Sequence, residues 1–137
     1  MTALTDARSW LYHLGDVGGA RADEIAATNA DLVITEWASY AADEAPYTAA
    51  RLDRMRGDDD KLIVSYLSIG EAENYRYYWD ADWAENPTAW IDDANPEWID
   101  NINVRYWNDD WQDIIFGYVD RIVAAGFDGV YLDLVSA

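Results

Sequence analysis

The chain has 137 residues, 51% of them apolar, enough for one compact domain with a real core rather than a disordered segment. Twenty-seven acidic against nine basic residues leave a formal net charge of −18, a field that repels nucleic acid and anionic membranes. The absence of cysteine and the single histidine, His13, exclude a disulfide framework, a thiol nucleophile and a multi-histidine metal centre within one chain.

No apolar run approaches the roughly 20 residues of a membrane span. The N-terminal MTALTDARSW lacks the basic and apolar blocks of a signal peptide, so the chain as written is expected to remain cytoplasmic. Lys61 is the one lysine beside eight arginines, and aspartate outnumbers glutamate. A dense carboxylate surface of this kind fits a halophile protein that stays hydrated in molar salt, and partial unfolding in dilute buffer is the expectation. Attraction of a cationic substrate is a second, compatible reading of the same charge.

Ser9 to Leu14, SWLYHL, reads as a first short strand, closed by Gly15. The glycines at 15, 18 and 19 make a loop whose spacing is wrong for a phosphate-binding fingerprint. A helix is predicted over Ala20 to Asn29, and a second strand over Asp31 to Trp37, with Glu36 and Trp37 at its C-terminal end. Pro46 suits a first helical position, and Tyr47 to Arg56 carries a helical pattern through Leu52 and Met55 up to Gly57. Asp58, Asp59 and Asp60 form a solvated turn.

The third strand is the organising stretch, KLIVSYLSIGEAENYRYYW (61–79). Leu62, Ile63, Val64, Tyr66, Leu67 and Ile69 form a near-continuous apolar run, as expected of a strand covered on both faces. Gly70 breaks it, and Glu71, Glu73, Tyr75, Arg76 and Trp79 follow. Carboxylates just past the C-terminal end of a parallel strand sit where α/β folds build active sites. Asp80 to Ile102 reads as a long tryptophan-rich loop, punctuated by Asn86-Pro87 and Asn95-Pro96, of the sort that forms a lid. Val104 to Trp107 is a short extended piece.

The clearest helix comes next, capped by Asp109 with Gln112 as its capping-box partner. Trp111, Ile114, Ile115, Tyr118, Val119, Ile122 and Val123 form one apolar stripe at the helical period, and Gly126 is the stop. GFDGVYLDLV then gives the fourth strand, with Asp133 near its end. Alternating strands and helices make a parallel α/β sheet, either the start of a doubly wound sheet or about half of a (β/α)₈ TIM barrel, since a whole barrel needs about 250 residues. Residues 1–137 therefore read as one partial (β/α) barrel domain, to be completed by a second half-barrel chain or a homodimer, or else truncated.

YLSIGEAENYRYYW (66–79), VRYWNDDWQDII (104–115) and GFDGVYLD (126–133) together resemble the glycoside hydrolase family 114 type of TIM barrel, the endo-α-1,4-polygalactosaminidase family. The resemblance runs from about Trp10 to the C-terminus and covers the first half of that family's barrel. It implies a usually extracellular enzyme that hydrolyses α-1,4-linked galactosamine polymers with no metal and no organic cofactor. It also implies that Asp133 matches a proposed catalytic carboxylate, that Glu71 matches the glutamate of the family's SIGE motif, and that the other proposed catalytic carboxylate lies in the half of the barrel with no counterpart here. Glu36 stands where the family often has aspartate, and His13 where glutamine is common.

Glycoside hydrolysis needs two carboxyl groups across one bond, one to protonate the leaving oxygen and one to attack the anomeric carbon or activate water. Asp133 and Glu71 are the catalytic candidates. For each there is a plainer role: Asp133 as a helix cap or arginine partner, Glu71 as a substrate acceptor or the salt-bridge partner of Arg76. Tyr75, Trp79 and Trp107 are candidates for stacking on sugar C–H faces, with Glu36, His13 and Arg76 as further substrate-binding candidates, while Trp111 belongs to the core stripe. A non-catalytic carbohydrate-binding half-barrel is the alternative reading.

Overall fold

The computed structural model describes residues 3–40 and 45–135. They form two compact units. One runs up to Tyr66 and takes in Arg121–Tyr131; the other holds Leu67–Asp120 and the residues from Leu132 on.

The first unit is built on parallel strands β1 (Trp10–His13), β2 (Leu32–Thr35) and the start of β3 (Leu62–Ser68), with helices α1 (Gly19–Ala26) and α2 (Ala49–Arg56) between them. Trp10 pairs with Leu32 and His13 with Thr35; Leu32 then pairs with Leu62 and Thr35 with Ser65. Strand β7 (Gly129–Asp133) completes the order β1-β2-β3-β7. Asp128 N donates to Ile63 O at 2.8 Å and Ile69 N to Asp133 O at 3.2 Å, so both chains ascend together and β7 is parallel to β3. The four parallel strands stand as the sequence pattern requires. Burial along β3 is nearly continuous, with Ile63 and Ser65 fully enclosed.

Ala22 and Ile25 of α1 and Leu52 and Met55 of α2 are buried in this unit's core. The two helices approach so closely that a Cβ on Gly57 would lie 3.0 Å from Ala26 Cβ, and Gly57 also has φ +59°, so glycine is required there. Arg54 holds Asp23 across the helix pair with bonds of 2.6 and 2.7 Å, which keep the Asp23 carboxyl below its usual range. Asp31 Oδ2 accepts from Arg8 N at 2.8 Å, Ser9 N at 2.9 Å and Ser9 Oγ at 2.9 Å, tying the entry of β1 to the entry of β2. The aspartate of GFDG ties β3 to the entry of β7 in a similar way, with Asp128 Oδ2 accepting from Ile63 N at 2.8 Å and Arg56 Nη2 at 2.9 Å.

Three local expectations are corrected. Helix α1 ends at Ala26 rather than Asn29, because Thr28 turns its hydroxyl back onto Ile25 O. Pro46 forms an antiparallel bridge with Ala38 instead of opening α2, whose cap is the Thr48 hydroxyl, 3.2 Å from Arg51 N. Asp109 is the first residue of α3 (Asp109–Ala125), not its cap. Asn108 caps it, its Oδ1 accepting from Asp110 N at 2.9 Å, and Gln112 reaches the Tyr106 carbonyl instead of a capping box.

The second unit replaces the expected long loop with an antiparallel sheet. Strands β4 (Glu71–Glu73), β5 (Ile91–Ala94) and β6 (Asn101–Val104) lie in the order β4-β6-β5, with Glu71 opposite Asn103 and Glu73 opposite Asn101. Its core is Ala72, Trp90, Val104 and Trp111, against which Tyr78, Trp79, Trp83 and Ile91 pack. The indole rings follow one another edge to face: Trp79 to Trp83 at 5.4 Å and Trp83 to Trp90 at 5.0 Å, with Trp90 tilted on Trp111 at 4.9 Å. Trp111 Nε1 donates to Ile69 O at 3.0 Å, which fixes the stretch after β3 against α3.

Candidate active site

In the second unit, β3 gives way at Gly70 to β4, and the alternation of a strand puts Glu71 and Glu73 on one face. Both are buried, 5% and 3% exposed, and each is held by its own donors. Glu71 Oε1 accepts from Asn95 Nδ2 at 2.8 Å and Oε2 from Asn101 Nδ2 at 3.0 Å. Glu73 Oε1 accepts from the Tyr75 hydroxyl and Oε2 from Arg76 Nε, both at 2.6 Å.

The ion pair expected between Glu71 and Arg76 is therefore made by Glu73. The cause is local: Arg76 N donates to Glu73 O at 3.1 Å, closing a turn that brings residues three apart together. The Arg76 guanidinium, itself buried, lies 5.1 Å from the centre of the Tyr75 ring, which is 48% exposed. Tyr75 is thus tethered by its hydroxyl and backed by a cation, leaving a half-open ring at the surface.

Asp133 ends β7, and its carbonyl accepts from Ile69 N, the residue before the Gly70 break. Leu134 follows with φ +58°, a left-handed conformation that costs a leucine about 1–2 kcal/mol. The turn is supported by Asp133 Oδ1, which accepts from Leu134 N at 2.9 Å. Strained backbone directly after a strand-end carboxylate is a feature found where a side chain's position matters to function. Trp107 stands exposed in an edge-to-face pair with Tyr106 at 5.1 Å, whereas Trp79 is partly buried against the indole row of the core.

In the first unit, Glu36 follows β2 and is buried. Tyr47 lies within its field: burial pushes the Tyr47 hydroxyl up, the Val17 N–H hydrogen bond partly opposes this, and the charges of Asp16 and Glu36 add to the rise. Val17 is pinned on both sides, its N–H by Tyr47 Oη at 2.9 Å and its carbonyl by Arg51. The result is a cleft of about 370 Å³ lined by Asp16, Ser39, Tyr47 and Arg51 among others. His13 shares a face of β1 with Leu11 and lines a cavity of about 150 Å³ with Arg21, Glu24, Ile25 and Thr28. Its Nε2 is buried with no hydrogen-bond partner among the described residues.

Sequence reasoning names Glu73 only among the carboxylates past the third strand and singles out neither Asn95 nor Asn101 as a site residue. The signal available was the i, i+2 spacing of the two glutamates, which would share a face only if the stretch were extended. Among the described residues no group of three or more His, Asp or Glu side chains is arranged to hold a metal ion, and no helix is long and apolar enough to cross a membrane.

A model of the glycoside-hydrolase family GH114 matches residues 2–137. An uncharacterised protein of Methanocaldococcus jannaschii is 40% identical over 127 residues, 93% of this chain and 36% of the relative. One of Deinococcus radiodurans is 34% identical over 135 residues, 98% of this chain and 42% of the relative. The chain spans about two-fifths of the length of these curated relatives. Among solved structures, the glycoside hydrolase domain of PelA from Pseudomonas aeruginosa matches with a TM-score of 0.62 at 17% identity, over 93% of this chain and 45% of that one. Aspergillus fumigatus Ega3, in complex with galactosamine, matches with a TM-score of 0.58 at 18% identity, over 93% of this chain and 43% of that one. These likenesses show the fold: the four parallel strands match about half of a TIM-barrel hydrolase domain.

Proposed function

We propose that this chain, which belongs to glycoside-hydrolase family GH114, supplies Asp133 as one of the two carboxyl groups that hydrolyse α-1,4-galactosaminide bonds within a polysaccharide. The observation that carries this reading is the placing of Asp133 at the C-terminal end of the fourth parallel strand, fixed by the left-handed Leu134. The galactosamine bound to Ega3 supports the substrate class. The chain covers less than half of each solved hydrolase domain it matches, and the second carboxyl is to be sought in the part of the barrel it does not span.

One carboxyl protonates the departing glycosidic oxygen while the other attacks the anomeric carbon or takes a proton from the attacking water; their separation sets retention or inversion. Glu71 stays with the site but in a holding role, since both its oxygens already accept from asparagine amides. Tyr75 and Trp107 offer exposed rings to sugar C–H faces. Arg76 orients Glu73 and Tyr75 rather than the polymer. Glu36 and His13 remain candidates for substrate contact, and Trp79 contributes through the packing of its neighbours.

Asp133→Asn, in a protein carrying the whole barrel, is expected to lower turnover about 10²-fold or more while polysaccharide binding persists. Turnover within a factor of a few of the parent would remove Asp133 from the chemistry. A second reading, a half-barrel that pairs with a copy of itself, draws on one observation. In the first unit Trp10, Tyr12 and Tyr131 are all at least 40% exposed and line, with Leu32 and Ile34, an apolar groove of about 470 Å³. The native mass at high salt decides: twice the chain mass favours pairing, and a monomer rejects it.

A further inference from the structure

The cleft of the first unit lies past the C-terminal ends of β1 and β2, and the proposed chemistry makes no use of it. Parallel sheets bind ligands on this side. Its volume of about 370 Å³ is that of a small-molecule site. Gly18 and Thr48, which open α1 and α2, both line it, so two helix N-termini end at one cleft. The Thr48 side chain caps its own helix, whereas Gly18 has none with which to cap α1.

A helix terminus alone is a weak signal, and two side chains supply a stronger one. Arg51 lines the cleft and gives one guanidinium N–H to Val17 O. Among the described residues it makes no ion pair, in a chain where acids outnumber bases three to one. Arg21, Arg54, Arg56, Arg76 and Arg105 are each matched with a carboxylate. Tyr47 is 9% exposed; its hydroxyl accepts from Val17 N at 2.9 Å, and its own proton has no acceptor among the described residues. Burial pushes that hydroxyl up, which keeps it a donor. Both side chains are anchored on Val17, so little freedom is lost when a ligand docks. A guanidinium with N–H groups to spare, set with a phenol that has a proton to give, is a donor set for a carboxylate.

Asp16 narrows the class. It is exposed, lines the same cleft, and accepts from Tyr40 N at 2.8 Å through Oδ1. An ionised carboxylate only accepts hydrogen bonds, so it opposes a bare anion and calls for hydroxyl donors. A phosphate would satisfy Arg51 and be opposed by Asp16; a simple amine would do the reverse. A carboxylate carried on a hydroxylated ring suits both, and the cleft has room for one sugar ring.

We propose that this cleft binds an acidic sugar, its carboxylate on Arg51 and the Tyr47 hydroxyl and its ring hydroxyls on Asp16. The site goes beyond the hydrolysis assigned above and does not depend on it. Calorimetric titration of the 137-residue chain with glucuronate, glucose, inorganic phosphate and glycine tests it, in molar salt so that the net charge of −18 is screened. Glucuronate is expected to bind saturably and at least about tenfold more tightly than any of the other three. Arg51→Met is expected to weaken glucuronate about tenfold, and Tyr47→Phe several-fold. The four-ligand comparison on the parent chain stands even where a variant does not fold.

Unchanged glucuronate affinity in a folded Arg51→Met overturns the assignment. Phosphate or glycine binding as tightly as glucuronate overturns the acidic sugar in favour of a bare oxyanion or a zwitterion, and glucose binding as tightly removes the carboxylate from recognition. No saturable binding of glucuronate to the parent chain overturns the site outright. The Asp133→Asn turnover measurement decides the hydrolase reading separately.

Discussion

Removing the Arg76 guanidinium strands the Glu73 carboxylate in the interior. The two side chains are 1% and 4% exposed and meet at 2.6 Å, so solvent screens neither of them. Breaking a buried pair from one side costs about 3–5 kcal/mol, several times the value of a surface pair. With a urea dependence of about 2 kcal/mol per molar for a chain of this size, Arg76→Met should lower the unfolding midpoint by about 2 M. The Tyr75 hydroxyl on the other carboxylate oxygen is a charge-assisted bond worth about 1.5–3 kcal/mol, but it is already made in the parent and so does not replace the lost ion pair. Adding Glu73→Gln to Arg76→Met removes the stranded charge and should recover at least about 2 kcal/mol, the coupling expected of two groups in direct contact. Urea titrations of the parent, the two single variants and the double variant close the cycle. Single-variant losses under about 1 kcal/mol, or simple additivity, would refute the claim that this pair fixes the turn carrying Tyr75.

The cap of α3 is separable from its neighbour: Asn108→Ala should cost about 1 kcal/mol in urea unfolding, and Asp109→Ala much less. Acid unfolding has a defined sign. The Asp31 carboxyl is held low by the Arg8 N–H and the Ser9 donors, and that of Asp23 by Arg54. Each contribution is therefore complete above the ordinary aspartate pKa and is lost as pH falls through the lowered folded value. Asp31→Asn and Asp23→Asn should each flatten that acid limb in a melting-temperature series, and an unchanged limb in both would discount the two carboxylates. With a net charge of −18, the melting temperature should rise from dilute buffer to molar salt; a flat circular dichroism melt would reject self-repulsion as a destabilising force.

The parallel strands were legible because their signal is redundant. In β3 an apolar run, a terminal glycine and flanking carboxylates point the same way, and in α3 seven residues repeat at the helical period. The antiparallel sheet had no such signal. Strand β4 is Glu-Ala-Glu and β5 is Ile-Asp-Asp-Ala, sequences of low strand propensity, and β6 offers only Ile102 and Val104 at period two. These strands are held by what packs on them, the Trp90 and Trp111 rings, and by the Asn95 and Asn101 amides on Glu71. None of that is local in sequence. The choice of Glu73 over Glu71 as the partner of Arg76 was hidden for the same reason, since it depends on a turn whose closure a linear pattern does not encode.

The acidity of the chain has two explanations that the placing of charge begins to separate. A halophile surface needs carboxylates wherever water must be kept, and the paired acids of the first unit, Asp23 with Arg54 and Asp128 with Arg56, show that basic residues are used there freely. The stretch from Asp80 to Val104 contains no basic residue, although its Asp92 is paired with Arg105 just beyond it at 3.5 Å, and it exposes Trp98 and Ile99. Hydration alone does not account for large apolar side chains exposed among these carboxylates. At molar salt the screening length is about 3 Å, so attraction at a distance is lost and only contact pairs and ring stacking survive. If the galactosaminide polymer proposed as substrate binds this surface, its affinity should accordingly fall as salt is raised. An affinity that does not change between dilute buffer and molar salt would reject a part for the carboxylates in binding.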